Sequence, residues 1–232
     1  LNLKPGIPIT YKAGDQPNNA LSLNVLEPGE VAATAGTSGV IYGVTEKITY
    51  DPQSRVNTFA HVNHTDQLNR LGVLLCINGT GILNSWVKKM VGAGNDYPQM
   101  NQAASQIQPG SDGLQIMPFG NGAERIFNNK KADSGIQNLN FNIHQSGHLI
   151  RSACEGIVFA MNYGFDVMKS VGASGDVVRA GNANLFLSPV FREIFTNTTQ
   201  TTLELYNTSG AEGAARGAAF GYGYYGSLEE AF

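Results

Sequence analysis

The amino-acid sequence predicts an α/β domain in which a mixed sheet is flanked by helices. The first third of the chain holds short β-prone runs separated by glycine-rich turns. From about residue 78 the apolar spacing lengthens to three and four residues, and helices then alternate with strands. No internal repeat or linker divides the 232 residues, a length that buries a core without disulfides or metals.

Val31–Ala35 and residues 40–44 read as strands joined by Gly36-Thr37-Ser38-Gly39, residues suited to a hairpin turn. A third strand over 58–62 follows the turn Tyr50-Asp51-Pro52-Gln53. Ile82, Trp86, Val87 and Met90 recur at helical spacing between 78 and 91, with Gly92 as the stop. A weaker helix over 97–107 is closed by Pro109-Gly110, and a short apolar strand covers 114–119. Residues 120–142 are rich in Gly and Asn and lack periodicity, which suits a long functional or lobe-contacting loop. The longest helix is expected over 145–170, with Leu149, Ile150, Ala153, Ile157, Ala160, Met161, Phe165 and Met168 on its apolar face and Gly172 as its end. A strand over 176–179, a helix over 184–195, a strand over Thr202–Tyr206 and a small-residue helix over 211–225 complete the chain.

Hydrophobic residues make up 42% and charged residues 14%, a globular composition, and the formal net charge of -3 gives no basic field for nucleic acid or an anionic membrane. A bound anion must therefore be held by local backbone geometry. Cys76 and Cys154 lie in apolar surroundings and read as buried thiols in a reducing cytoplasm. No apolar run approaches the ~20 residues that span a bilayer. The amino-terminal residues lack a signal-peptide pattern, and Leu1 in place of Met reads as the mark of a fragment.

Four turns hold the candidate chemistry. Asp15 and Gln16 lie in Ala13-Gly14-Asp15-Gln16-Pro17-Asn18-Asn19, which by itself is turn chemistry satisfying local backbone groups. Thr37 and Ser38, between Gly36 and Gly39, are able to offer N–H and O–H donors to a phosphate, although an ordinary hairpin explains the same residues. Asn78-Gly79-Thr80-Gly81 opens a helix, and Ala180-Gly181-Asn182-Ala183-Asn184 joins a strand to a helix. Helix starts present unpaired N–H groups to anions, but glycine there is also commonly structural. No P-loop lysine or dinucleotide fingerprint is present. His61, His64, His144 and His148 lack a metal-ligand spacing and read as structural or surface groups. Sequons at Asn63, Asn78, Asn197 and Asn207 fit chance in an Asn-rich chain.

Taken in order, these turns resemble the C-terminal half of the FGGY carbohydrate kinases over nearly the whole chain. Gly14-Asp15-Gln16, Gly29-Glu30 with Gly36-Thr37-Ser38-Gly39, the stretch from Ser134 through Ile136, Leu139, His148-Leu149 and Ser152-Ala153 to Glu155, Gly181 to Leu187, and Glu212 to Ala219 carry the likeness. Residues 51–62 and Gly122-Ala123-Glu124-Arg125 are most similar to the xylulose kinase branch of that family. The resemblance implies a ribonuclease H-like, actin-like ATPase domain, an order that strands followed by alternating helices and strands also match.

It further implies that Asp15 is the base for a sugar hydroxyl and that Gln16 touches the sugar. Thr37 and Ser38 would bind the ATP phosphates, Gly79 and Gly81 would let the backbone approach phosphate or ribose, and Gly181 and Asn184 would border adenine. Mg²⁺ would bridge phosphate oxygens without a protein metal ligand in this chain. Arg179-Ala180-Gly181-Asn182 replaces a glycine run, Asn138 a glycine and Cys154 an aliphatic residue of the family pattern. Residues 1–28 would end the N-terminal lobe and the interlobe segment, and the missing N-terminal lobe of the same protein would be the partner. Many relatives are dimers, so a homodimer is also admitted. Alternatives are a kinase for fuculose, rhamnulose or gluconate, a non-catalytic actin-like binding domain, and a secreted glycan-binding module.

Overall fold

The computed structural model of the protein describes residues 4–91, 96–123 and 125–232; Gly92 and Glu124 lie outside the described residues. Among the described residues, eight strands and six α-helices run in the order α1 (Asp15–Ser22), β1 (Val31–Ala35), β2 (Gly39–Thr45), β3 (Asn57–Ala60), β4 (Leu71–Ile77), α2 (Thr80–Met90), α3 (Tyr97–Ser105), β5 (Gln115–Met117), β6 (Gly135–Gln137), α4 (Ser146–Ser170), β7 (Val177–Gly181), α5 (Pro189–Thr199), β8 (Thr202–Tyr206) and α6 (Gly210–Gly221).

Six strands form one sheet in the order β3-β4-β2-β1-β7-β8. The hairpin β1–β2 is antiparallel with Ala35 opposite Gly39, so its turn is Gly36-Thr37-Ser38. β4 extends the antiparallel side along β2, whereas β7 and β8 continue in parallel from β1. A second, two-stranded sheet pairs β5, inside the strand expected over 114–119, with β6, which lies in the stretch expected to be loop.

Strand alternation sorts the core into two layers. Val31, Ala33, Ala35, Ile41, Val73, Leu75 and Ile77 share one apolar cluster with Ile157, Met161 and Met168 of α4 and Phe191 and Phe195 of α5. The intervening Ala32, Tyr42 and Val44 face the other way, against Ala20, Leu23 and Val25. This is the period-two signature of a sheet covered on both faces. α4 is the main cover, and its apolar face is the predicted one, with Ile150, Ala153, Ile157, Ala160, Met161, Phe165 and Met168 buried. Gly172, at φ +74°, follows its end. None of the described helices is long and apolar enough to cross a membrane.

Three expectations change. Residues 15–22 form helix α1 and not a turn, because Gly14 caps it and Pro17, Ala20 and Leu21 are buried, α1 packing on α6. The helix expected over 184–195 is split. Asn184–Leu187 is a 3₁₀ turn, and Ser188 is extended before Pro189, its hydroxyl accepting from Phe191 N–H at 3.2 Å to cap α5. The third strand ends at Ala60, and His61 turns inward, its Nδ1 2.8 Å from the Tyr42 hydroxyl and Nε2 2.9 Å from the Val25 carbonyl. Cys154 is buried, as expected, whereas Cys76 on β4 is half-buried.

Candidate nucleotide cleft

β1, β7 and β8 run in parallel, so Ala35, Gly181 and Tyr206 end on one edge of the sheet. Loops at such carboxyl edges are where α/β sheets expose backbone groups to ligands. On this edge lies a cleft of about 750 Å³ whose lining includes Gly36 and Thr37 from the hairpin, Gly81, Asn84 and Trp86 from α2, Tyr97 and Asn101 from α3, and Asn184 and Ser188.

The hairpin is clasped to the start of α2. Gly81 N–H donates to the Gly36 carbonyl at 2.8 Å, and the Thr80 hydroxyl donates to the same oxygen at 2.7 Å. A Cβ at Gly81 would lie 2.5 Å from that carbonyl, so close approach requires glycine here. Asn184 sits at φ +56° across the hairpin, its Nδ2 3.6 Å from where a Gly36 Cβ would be. Thr37, Gly81 and Asn184 are therefore brought together on the cleft.

The other candidates are placed differently. The Ser38 hydroxyl donates to Asn78 Oδ1 at 3.1 Å and serves the clasp between hairpin and helix. Gly79 caps α2 on the side of a separate hollow shared with Pro118 and Ile136. Gly181 ends β7 near the Thr208 carbonyl. Asp15 is the exposed first residue of α1, its Oδ2 3.4 Å from Gln16 Nε2. Its carbonyl lies 3.6 Å from the site of a Gly210 Cβ, at the start of α6 just beyond β8. Asp15 and Gln16 are thus on the edge that carries the cleft, though not in its lining.

Several residues that carry the resemblance have local structural partners. Glu155 accepts from Gly110 N–H, the Ser111 hydroxyl and Arg151 Nε, at 2.9, 2.8 and 3.0 Å. His148 Nδ1 accepts from Gln145 N–H, so its proton sits on Nε2 and is donated to Asp112 Oδ2 at 2.9 Å. Glu30 lies at the amino end of β1, away from the hairpin, accepting from Leu26 N–H and pairing with Arg179 at 2.9 Å. Cys154 lines the cleft, and burial pushes its thiol up to about 12, which keeps it protonated at neutral pH.

Trp86, Tyr97, Asn101 and Ser188 are lining residues that the sequence reading did not single out. In the sequence Trp86 is one of the apolar residues that recur at helical spacing in α2. The face buried in the structure runs through Leu83 and Val87, and Trp86 is 43% exposed on the cleft side. The sequence carries no signal of this, because Ile82, Leu83, Trp86, Val87 and Met90 fall in one arc of about 140° at helical spacing and only the placed helix divides it into a buried and an exposed side.

No family model matches the chain. A xylulose kinase of Bacillus subtilis is 31% identical over 228 residues, covering 95% of this chain and 44% of the relative. The match agrees with the resemblance to the C-terminal half of the FGGY carbohydrate kinases. The fold of this chain matches a crystallised xylulose kinase from Rhodospirillum rubrum with a TM-score of 0.82 at 24% identity, over 94% of this chain and 43% of that one. It also matches a Plasmodium falciparum glycerol kinase solved with ADP, with a TM-score of 0.78 at 21% identity, over 94% and 43%. The fold is thus the actin-like ATPase domain expected. The chain spans less than half the length of the relatives it matches.

Proposed function

We propose that this chain is the ATP-binding C-terminal lobe of a sugar kinase, and that it works with an N-terminal lobe to phosphorylate D-xylulose at a hydroxyl. The observation that carries the proposal is the cleft at the carboxyl edge of β1 and β7, where a two-hydroxyl hairpin is clasped to the start of α2. Thr37 and the N–H groups around it offer donors to phosphate oxygens, and Asn184 borders the nucleoside. Ser38 supports this role indirectly by fixing the hairpin through Asn78.

Asp15 is proposed as the base. As the sugar oxygen bonds to the γ-phosphorus, Asp15 takes the hydroxyl proton and the bond from phosphorus to the ADP oxygen breaks. Its exposed place at the start of α1 leaves it open to a sugar held largely by the other lobe, with Gln16 beside it. Mg²⁺ would be carried on the phosphate oxygens of the bound nucleotide. It would neutralise charge on the transferred group.

The experiment is ADP release by the full-length gene product with Mg·ATP across a panel of ketoses and sugar acids, wild type beside Asp15→Ala. The expected outcome is turnover on D-xylulose that falls by at least about a thousandfold in the variant. Turnover on another sugar corrects the substrate and keeps the mechanism. No turnover from folded protein favours a non-catalytic actin-like domain.

A further inference from the structure

The cleft has a phosphate end and a far end, and the far end holds an unusual polar group. From Gly81 at the hairpin to Lys89, α2 rises about 12 Å, roughly the reach from a terminal phosphate to a nucleoside base. At that far end Trp86, Tyr97, Met100 and Leu187 make apolar and aromatic walls, and Asn101 and Ser188 bring polar side chains among them.

Their mutual bond fixes which atoms face the ligand. The Ser188 oxygen already accepts from Phe191 N–H at 3.2 Å as the cap of α5. Its single proton must therefore be donated elsewhere, and Asn101 Oδ1 lies 2.7 Å away. The flipped amide would aim a second donor at the same oxygen and leave the serine proton without that acceptor, the poorer arrangement. With Oδ1 so engaged, Asn101 has its Nδ2 N–H groups left to present beside the aromatic and aliphatic side chains, with Ser85 and Lys89 among the polar groups of the α2 side.

We propose that Asn101, oriented by Ser188, reads the base of the nucleotide by donating to an acceptor on its edge, with adenine ring nitrogens as the matching group. Asn101 is then a binding residue that sets base selectivity, and Ser188 is a positioning residue. The proposal rests on the nucleotide reading of the cleft.

The test uses the fluorescence of Trp86, the single tryptophan of the chain, which stands in the cleft wall. The probes are ATP, 1-deaza-, 3-deaza- and 7-deaza-ATP, and inorganic tripolyphosphate. In wild type, one deaza analogue is expected to bind about tenfold more weakly than ATP, the order of one hydrogen bond. Asn101→Leu should lose about tenfold for ATP, nothing further for that analogue, and nothing for tripolyphosphate. Ser188→Ala should lose part of the selectivity, and Ser188→Thr, which keeps the hydroxyl, should restore it.

Equal ATP binding by wild type and folded Asn101→Leu overturns the proposal while leaving the nucleotide reading standing. An equal loss for ATP and tripolyphosphate also overturns it, because that marks a structural lesion. A wild-type chain that binds tripolyphosphate without preferring ATP overturns base reading alone, whereas one that binds no probe overturns both readings.

Discussion

At the scale of single residues, burial does more than sequence context to set chemical character. His61 is 4% exposed, and its two ring nitrogens are taken by Tyr42 and Val25. Burial holds its imidazolium form down, to about 4. Between that value and the ordinary 6.5 the unfolded chain binds a proton that the folded chain does not. The stabilisation from neutral His61 is therefore complete above about pH 6.5 and is lost as pH falls towards 4. Urea unfolding is expected to show stability about 2 kcal/mol lower at pH 5 than at pH 7 from this group, with the slope flattened in His61→Gln. An unchanged slope would remove His61 from the account. Nothing around His61 in the sequence announces this, because its partners come from 19 and 36 residues away.

At the scale of elements, legibility followed periodicity. α4 was readable because one face of 25 residues carries the apolar groups. β4 was missed, although Leu71–Ile77 is strongly apolar, because a strand packed on both faces has no alternation to detect. α1 was hidden by turn-forming residues whose helical state depends on packing against α6, a contact some 200 residues distant in sequence. Of the candidate site, the hairpin, Gly81 and Asn184 were legible, since their residue types carry the geometry. The far wall was not, since Trp86, Tyr97 and Asn101 look like ordinary helix residues until the helices are placed. The clasp between hairpin and α2 is the most exposed to mutation. Gly81→Val would drive a branched side chain into the Gly36 carbonyl, with Cβ 2.5 Å from it. We expect a loss of about 1–3 kcal/mol of stability by chemical denaturation and more than tenfold weaker ATP binding. Wild-type affinity in this variant would mean that the clasp does not shape the phosphate site.

At the scale of the molecule, the chain holds one large apolar core but has less than half the length of its relatives. The two facts predict a separation of properties. The 232-residue chain should unfold cooperatively and bind ATP, because the sheet, its covering helices and the cleft are all internal to it. Its ADP release with D-xylulose should be negligible beside that of the full-length gene product. Rapid turnover by the chain alone, in a coupled assay, would show that the second lobe is not needed for the chemistry.

The mixed sheet also decides how the cleft can grip. β1 is hydrogen-bonded to β2 on one side and β7 on the other, so the hairpin turn and the Asn184 turn hang from adjacent strands in fixed register. Their separation is tied to strand spacing, about 4.8 Å, and the start of α2 is fastened to the same hairpin. These parts form one side of the cleft. The opposite side of the cleft, the end of α2 and α3, packs on α4. The side that would hold phosphate is thus the one whose spacing the sheet itself sets.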